Sequence, residues 1–486
     1  MSKNLRLWQV IKKLIKLIKK LFICVLISTL LFSPLSIYSI YAQDSLPLEA
    51  SAAILVEQTT GRILYAHNAH ERRYPASTTK MLTALVVMQH LDLDSVVIVG
   101  PEIRGMPAGF ATNIHVEGEA ITVRMLLKAL LIRSSNEAGR ILAIETVRRI
   151  DGNPDVTYNE AKGRFSELMN AYARSLGAHN SNFNNPYGLH NDAHFSTAYD
   201  LALIGRAFVE TPELVQISAI RQFSGDSMEG RSHHTGQVRE FTWQNTNLML
   251  PGAEFGHPYI IGGRTGFTTP AGHCFIGAAY HNGLGLVSVV LYSREPGRWQ
   301  DTRMLIDHGF VNFDFRELAI ENQIFYIAKI ENPRLGDIDT IDINLATGHI
   351  EVLSHAEYAA IRREITFDPL LISETFEHGG DYTVLRAPIE EGEIVGTVTY
   401  LLQNEVIFSS PLIAARQVYE RTFDSDMDYY IAMVVDNIFT TRALPYWIGF
   451  FGVLFGVFNM CIAISISRRA RRLERWHPTE MRRRRS

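Results

Sequence analysis

Two short alternating runs, Ala52 to Glu57 and Arg62 to His67, flank Thr59-Thr60-Gly61 and predict a β-hairpin. Apolar residues at helical spacing follow in Met81 to Leu91, Thr122 to Ile132 and Phe165 to Leu176. Cys274 to Tyr280 and Leu284 to Tyr292 flank Asn282-Gly283, a two-residue turn signal that predicts a second hairpin. Arg303 to Phe310 predicts a closing helix. Strands at both ends with helices between them predict an α/β domain over residues 43–317, one antiparallel sheet with helices on its faces. From Leu318 the texture changes. Runs such as Gln323 to Ala328 and Ile394 to Thr399 read as strands, which predicts a small β-rich domain over 318–415 and a partly helical linker over 416–445.

The two ends carry patterns of another kind. Lys3, Arg6, Lys12, Lys13, Lys16, Lys19 and Lys20 precede an apolar stretch from Leu21 to Ile40, and small Ala42 offers a cleavage position. That order predicts a secretory signal over residues 1–42. Near the other end Tyr446 to Ile466 holds no charge, and it is long enough for a bilayer core of about 30 Å. Arg468, Arg469, Arg471, Arg472 and Arg475 follow, then Arg482 to Arg485. By the positive-inside rule the tail 467–486 is expected in the cytoplasm and the body of the chain outside it.

The charge balance changes once the ends are set aside. The whole chain of 486 residues has a formal charge of −4, but residues 43–442 hold 31 basic and 49 acidic residues, near −18. So acidic a body argues against a nucleic-acid partner. Cys274 is its one cysteine, so no internal disulfide is available and stability must come from core packing.

Three short motifs carry candidate chemistry. Ser77-Thr78-Thr79-Lys80 opens an apolar helix, and a three-residue spacing puts Ser77 and Lys80 on one helix face. Ser134-Ser135-Asn136 offers a hydroxyl and an amide two residues apart, where the helix before it ends. Gly262-Gly263-Arg264-Thr265-Gly266 follows apolar Tyr259-Ile260-Ile261; it sets a cation and a hydroxyl beside glycines that leave room for a substrate backbone on a strand edge. His234-Thr235-Gly236 is a decoy for the third motif, because no apolar strand precedes it. Each motif alone has a bland reading: a capping serine, a polar loop, a glycine-rich strand end. Their order together does not.

The set Ser-x-x-Lys, Ser-x-Asn, Lys-Thr-Gly resembles that of penicillin-binding proteins and β-lactamases. Ser166 to Leu176-Gly177, Phe183 to Leu189, His194 to Ala202 and Gly266 to Cys274 are similar to the serine D-alanyl-D-alanine carboxypeptidase branch, peptidase family S11. The resemblance covers about Ala52 to Phe313, and Pro388 to Ile413 is similar, less specifically, to that branch's C-terminal β domain. It implies a β-lactamase/DD-peptidase-like catalytic fold. It also implies removal of the terminal D-alanine from peptidoglycan pentapeptides in cell wall biogenesis, with β-lactam antibiotics as inhibitors and the cytoplasmic membrane as support. Ser77 would be the acyl-ester nucleophile, Lys80 the general base, Ser134 a proton relay and Asn136 a holder of the substrate amide. Arg264 and Thr265, with Gly266 and Phe267, would bind substrate, and the backbone N–H groups of Ser77 and Phe267 would form the oxyanion hole. No metal and no cofactor is implied, and the frame around His190, Asp192 and His194 speaks against a metal site there.

One departure stands out: the third motif begins with Arg264 where the family has Lys. Arginine keeps the charge but differs in bulk and planarity. A serine β-lactamase and a catalytically impaired wall-binding scaffold of the same fold are the alternatives. Against the first, no Glu between Asn136 and Arg264 has Asn four residues on; against the second, Ser77 and Lys80 are both present.

Overall fold

A computed structural model of the chain describes residues 46–106, 112, 114–231, 236–373, 383–438 and 444–480. The expected signal (1–42), most of the decoy at His234 and Thr235, and the last arginines lie outside the described residues. The chain divides into two units, residues 1–280 with 286–307, and residues 281–285 with 308–486.

In the first unit β1 (Ala52–Glu57) and β2 (Ile63–His67) form the opening hairpin, and β1 also pairs antiparallel with the late strand Leu284–Ser293. Short pairs follow: β3 (Val96–Ile98) with β4 (Ala120–Thr122), and β5 (Gln222–Asp226) with β6 (Glu240–Gln244). Three long strands, β7 (Ile260–Thr268), β8 (Gly272–His281) and β9 (Leu284–Ser293), complete a five-stranded sheet of order β2-β1-β9-β8-β7. Asn282 and Gly283 both take positive φ, 47° and 86°, as the tight turn between β8 and β9 requires. Strand β7 stands at one edge with its outer side unpaired within the sheet.

The helices of this unit are α1 (Lys80–His90), α2 (Val123–Leu131), α3 (Asn136–Asp151), α4 (Tyr158–Ser175), α5 (Ala198–Val209), α6 (Pro212–Ser218) and α7 (Gly297–Asn312), the last of which ends in the second unit. Side-chain caps fix where several begin. Thr122 accepts from Met125 N, Ser135 from Ala138 N and Thr197 from Asp200 N. Thr157 and Glu160 form a capping box that starts α4 seven residues before the predicted Phe165. Buried residues of β1, α1, α2, α3 and α5 pack with Ile276, Val287 and Val289 into one continuous core. Trp299 is buried by the rings of Phe255 and Phe275.

The second unit is a six-stranded sheet with a two-stranded partner. Its strands are β10 (Phe313–Ala319), β11 (Ile324–Glu331), β12 (Thr340–Leu345), β13 (His349–Ser354), β14 (Arg362–Phe367), β15 (Val384–Arg386), β16 (Ile394–Leu402) and β17 (Glu405–Ala414). Alternation along β12 and β16 turns Ile341, Ile343, Val398 and Tyr400 into a separate core. Short α8 (His355–Ala360) follows β13. The expected linker contains a helix, α9 (Phe423–Ile438), and α10 runs from Leu444 to Glu480. Within α10, Leu444–Arg469 has mean hydropathy 2.1 and is long and apolar enough to cross a membrane.

Candidate active site

The site is assembled from three places on the sheet and its helices. A 3-10 turn, Ala76–Thr79, carries Ser77 into α1, whose first residue is Lys80. Ala76 sits at φ 47°, a left-handed conformation costly for a residue with a Cβ. Two glycines press on this turn. A Cβ on Gly188 would lie 1.9 Å from the Ala76 carbonyl oxygen, and one on Gly266 would lie 2.8 Å from the Pro75 oxygen and 3.1 Å from Ser77 N. Only bare backbone fits at either place.

Lys80 lies at the centre and is fully buried. Its Nζ is 2.8 Å from Ser77 Oγ, 2.7 Å from Asn136 Oδ1 and 2.7 Å from the Tyr187 carbonyl oxygen. Burial pushes its pKa well below the ordinary lysine value; the Arg264 guanidinium pushes the same way and Glu137 opposes both. Ser77 Oγ has a second, longer contact, 3.4 Å to the Tyr187 oxygen. The expected pair of nucleophile and base is therefore in contact, with the second motif's amide on the same nitrogen.

The second motif is a junction between two helices. Ser134 takes φ 66° after α2 ends, Ser135 caps α3, and Asn136 is the first residue of α3. Sequence reading placed the motif at a helix end but did not see the helix that begins there. The Ser134 side chain is half-buried and has no hydrogen-bond partner among the described residues. Ser135 is committed to structure. It caps Ala138 N and bonds Glu137, whose buried carboxylate also accepts from Thr112 N at 2.7 Å.

The third motif lies on β7. Arg264 is only 1% exposed. Its Nη1 donates to the Leu131 carbonyl at 2.7 Å and to Thr246 Oγ1 at 3.1 Å, and its Nε to the Ser77 carbonyl at 3.4 Å. Its Nη2 is buried without a partner among the described residues. Burial, with Arg298 next, brings the Arg264 pKa down to about 9. Thr265 donates to Thr246 Oγ1 at 3.0 Å. Phe267, half-exposed, lies against the His273 ring at 4.5 Å.

Three contributors were missed by sequence reading. Tyr187 acts through its carbonyl, and a backbone atom leaves no side-chain signal. Thr246 bridges Arg264 and Thr265 from a loop with no motif of its own. Glu137 had a faint signal, an acid in the first turn of a capped helix. His194 belongs to the scaffold: its Nε2 meets Thr79 Oγ1 at 2.8 Å, its Nδ1 meets Asn184 and Asn185, and burial takes its pKa down to about 3.

The chain is similar to known proteins in the same region. The sequence profile of the D-alanyl-D-alanine carboxypeptidase family matches residues 40–295. The D-alanyl-D-alanine carboxypeptidase DacF of Bacillus subtilis is 27% identical over 383 residues, which cover 77% of this chain and 87% of the relative. DacB2 of Mycobacterium tuberculosis, of the same description, is 32% identical over 269 residues, covering 54% of this chain and 82% of that one. Among solved structures, penicillin binding protein 5 of Haemophilus influenzae superposes with a TM-score of 0.54 at 23% identity, covering 77% of this chain and 99% of the other. The carboxypeptidase DacD of Francisella tularensis gives 0.57 at 21% identity, covering 78% and 96%. At such identities the structures speak for the fold.

Proposed function

The chain belongs to the D-alanyl-D-alanine carboxypeptidase family, and from that premise we propose that it is a penicillin-sensitive serine carboxypeptidase that trims the terminal D-alanine from peptidoglycan pentapeptides. The observation that carries this reading is the contact of 2.8 Å between Ser77 Oγ and the buried Nζ of Lys80.

The chemistry is acyl transfer. Lys80, its charge disfavoured by burial and by Arg264, takes the Ser77 proton as Oγ attacks the carbonyl between the two D-alanines. The N–H groups of Ser77 and Phe267 receive the developing oxyanion. Ser134, whose hydroxyl has no partner among the described residues, relays the proton from Lys80 to the departing D-alanine; Asn136 holds the substrate amide as well as Lys80. Water then releases the acyl group. Gly266 lets the acyl backbone lie along the open edge of β7. The terminal carboxylate takes the Thr265 hydroxyl, which turns to it from Thr246 Oγ1, and the two N–H groups of Arg264 Nη2, which have no partner among the described residues. Arg264 thus acts from beneath the cleft, on the carboxylate and on the charge of Lys80.

The test compares an acetylated peptide ending in D-Ala-D-Ala with its C-terminal amide. The enzyme releases D-alanine from the acid, and the amide is poorer by roughly ten- to a hundredfold in kcat/KM, the worth of one charge-assisted hydrogen bond. Arg264→Ala removes most of that preference, and Arg264→Lys restores it. Removing the cation also raises the Lys80 pKa, so the acid limb of the pH profile moves to higher pH. An acid peptide left uncleaved would sink the proposed activity; equal losses on acid and amide would remove Arg264 from carboxylate recognition.

We place the catalytic unit outside the cytoplasm, with the apolar stretch of α10 as its single anchor and the arginine-rich tail inside. Protease added to intact protoplasts should digest the catalytic unit and spare a C-terminal tag. Loss of the tag alone reverses the orientation.

A further inference from the structure

Helix α4 contains a glycine that its own structure does not call for. Gly163 sits in the helix interior, where glycine is about 1 kcal/mol worse than alanine. Its φ is ordinary, and a Cβ built on it would meet no heavy atom within 4 Å. Neither backbone conformation nor close packing explains the residue. What it does line is an open cavity of about 570 Å³, which no step of the hydrolysis uses.

The cavity is a groove with α4 as one wall and residues 182–184 as the other. Asn170 fastens the two walls together. Its Nδ2 donates to the Phe183 carbonyl at 2.7 Å and its Oδ1 accepts from Phe183 N at 2.8 Å, while the Phe183 ring is buried in the core. Three other amides keep polar atoms without partners among the described residues. The Asn159 amide is free, Asn182 Nδ2 donates to the Ala193 carbonyl and leaves Oδ1 over, and Asn184 Oδ1 accepts from Asn185 and leaves Nδ2 over. Donors and acceptors left side by side suit hydroxyl groups, which do both.

Three charged side chains line the groove: Lys162, Glu167 and Arg174. Glu167 is paired with Arg164 at 3.1 Å. Lys162 and Arg174 make no ion pair among the described residues. They stand on one helix with about 18 Å of axial rise between them. In a body that is strongly acidic, two unspent cations along one groove favour an anionic occupant. The wall at 182–184 also leads into the catalytic loop. From Asn184 to Tyr187 the chain spans at most about 11 Å, and Asn185 Oδ1 accepts from Gly188 N at 2.8 Å and Leu189 N at 2.9 Å. Whatever lies in the groove lies beside the loop that supports Lys80.

We infer that the groove binds a linear polymer rich in hydroxyls and carrying acidic groups, with the acids on Lys162 and Arg174 and the hydroxyls on the amides between, and that Gly163 keeps the groove open for it. The acid can be a sugar carboxylate or a polyol phosphate; both present an anion among hydroxyls. Such a hold keeps the enzyme on an extended substrate between cleavages, a function separate from the chemistry at Ser77.

The experiment measures binding to the full chain in detergent by calorimetry. Three oligomers of equal length are used: an oligogalacturonate, a glycerol phosphate oligomer and a neutral dextran. At least one acidic oligomer is expected to bind roughly tenfold more tightly than the dextran. The tighter of the two acids tells carboxylate from phosphate as the preferred group. Lys162→Gln and Arg174→Gln should each weaken that binding several-fold. Gly163→Trp should abolish it with no change of charge, and the two charge variants read the same loss should the Trp variant fold poorly. Dextran binding as tight as either acid, or no binding of any oligomer, overturns the site. So does an acidic affinity that both charge variants leave at the wild-type value, because it then belongs to the arginine-rich tail. Binding is read without turnover, so failure here leaves the D-Ala-D-Ala reading of the cleft untouched.

Discussion

Ser77→Ala should abolish D-alanine release and leave no covalent adduct with a fluorescent penicillin, a fall on the order of 10⁴-fold or more in kcat. No other serine in the sequence has lysine three residues on, and among the described residues Ser77 Oγ is the one hydroxyl in contact with Lys80 Nζ. Ser134 is the nearest rival, but its assigned part is to pass a proton. The variant should remain folded. Ser77 Oγ makes one long bond to protein besides Lys80, and Lys80 keeps Asn136 and the Tyr187 carbonyl. A melting temperature near that of the wild type together with absent labelling is therefore the expected pair of results. Labelling at the wild-type rate would show that the nucleophile lies elsewhere.

Gly188→Ala should be nearly as damaging, although residue 188 performs no chemistry. Its φ is 82°, where an alanine costs roughly 1 kcal/mol through the backbone alone. The larger cost is contact: the new Cβ would lie 1.9 Å from the Ala76 oxygen, 2.3 Å from the Ala76 carbonyl carbon and 2.9 Å from Ser77 N. All three are backbone atoms, so no side chain can swing aside. Either the serine turn or the Tyr187–Gly188 loop must move, and both hold Lys80 in place. A displacement near 1 Å at the reacting atoms lowers turnover by about a hundredfold. Penicillin acylation, which needs the same turn, should fall in step with peptide cleavage, and the melting temperature should drop. A variant with wild-type acylation would show that the loop relaxes freely and that the close packing has no catalytic purpose.

Much of the catalytic unit was legible because its signals are local. Thr59-Thr60-Gly61 and Asn282-Gly283 announce turns through their own backbone preferences, and the strands beside them were read to within two residues. Helix α1 was visible in the spacing of Met81 to Leu91. Helices α3 and α5 were not, since both are buried on several sides and neither shows a clean stripe. The Ser77–Lys80 contact follows from a three-residue spacing, so sequence alone could anticipate it. The convergence of Asn136 and Arg264 on that pair needed the resemblance, because 56 residues separate Lys80 from Asn136 and nothing local joins them. What no sequence pattern carried was the burial of Arg264. Position on a strand beside glycines looked like exposure to substrate, yet tertiary packing against the Leu131 carbonyl and Thr246 turned most of its donors inward.

The pairing of β1 with β9 sets an order of events in biogenesis. Ala52 lies opposite Leu291, so one of the first strands to leave the ribosome has to wait for one of the last of its unit. Ser77 follows β1 closely, yet Gly188 and then Gly266 of β7 must arrive before the serine turn is packed from both sides. Contacts this distant along the chain make for slow closure. The apolar stretch beginning at Leu444 lies some 150 residues beyond the end of β9. If the chain is exported and anchored as proposed, it has time to close its sheet before it is tethered, and a copy broken off ahead of Leu284 leaves an unpaired β1 edge, a substrate for proteases and aggregation and never an enzyme.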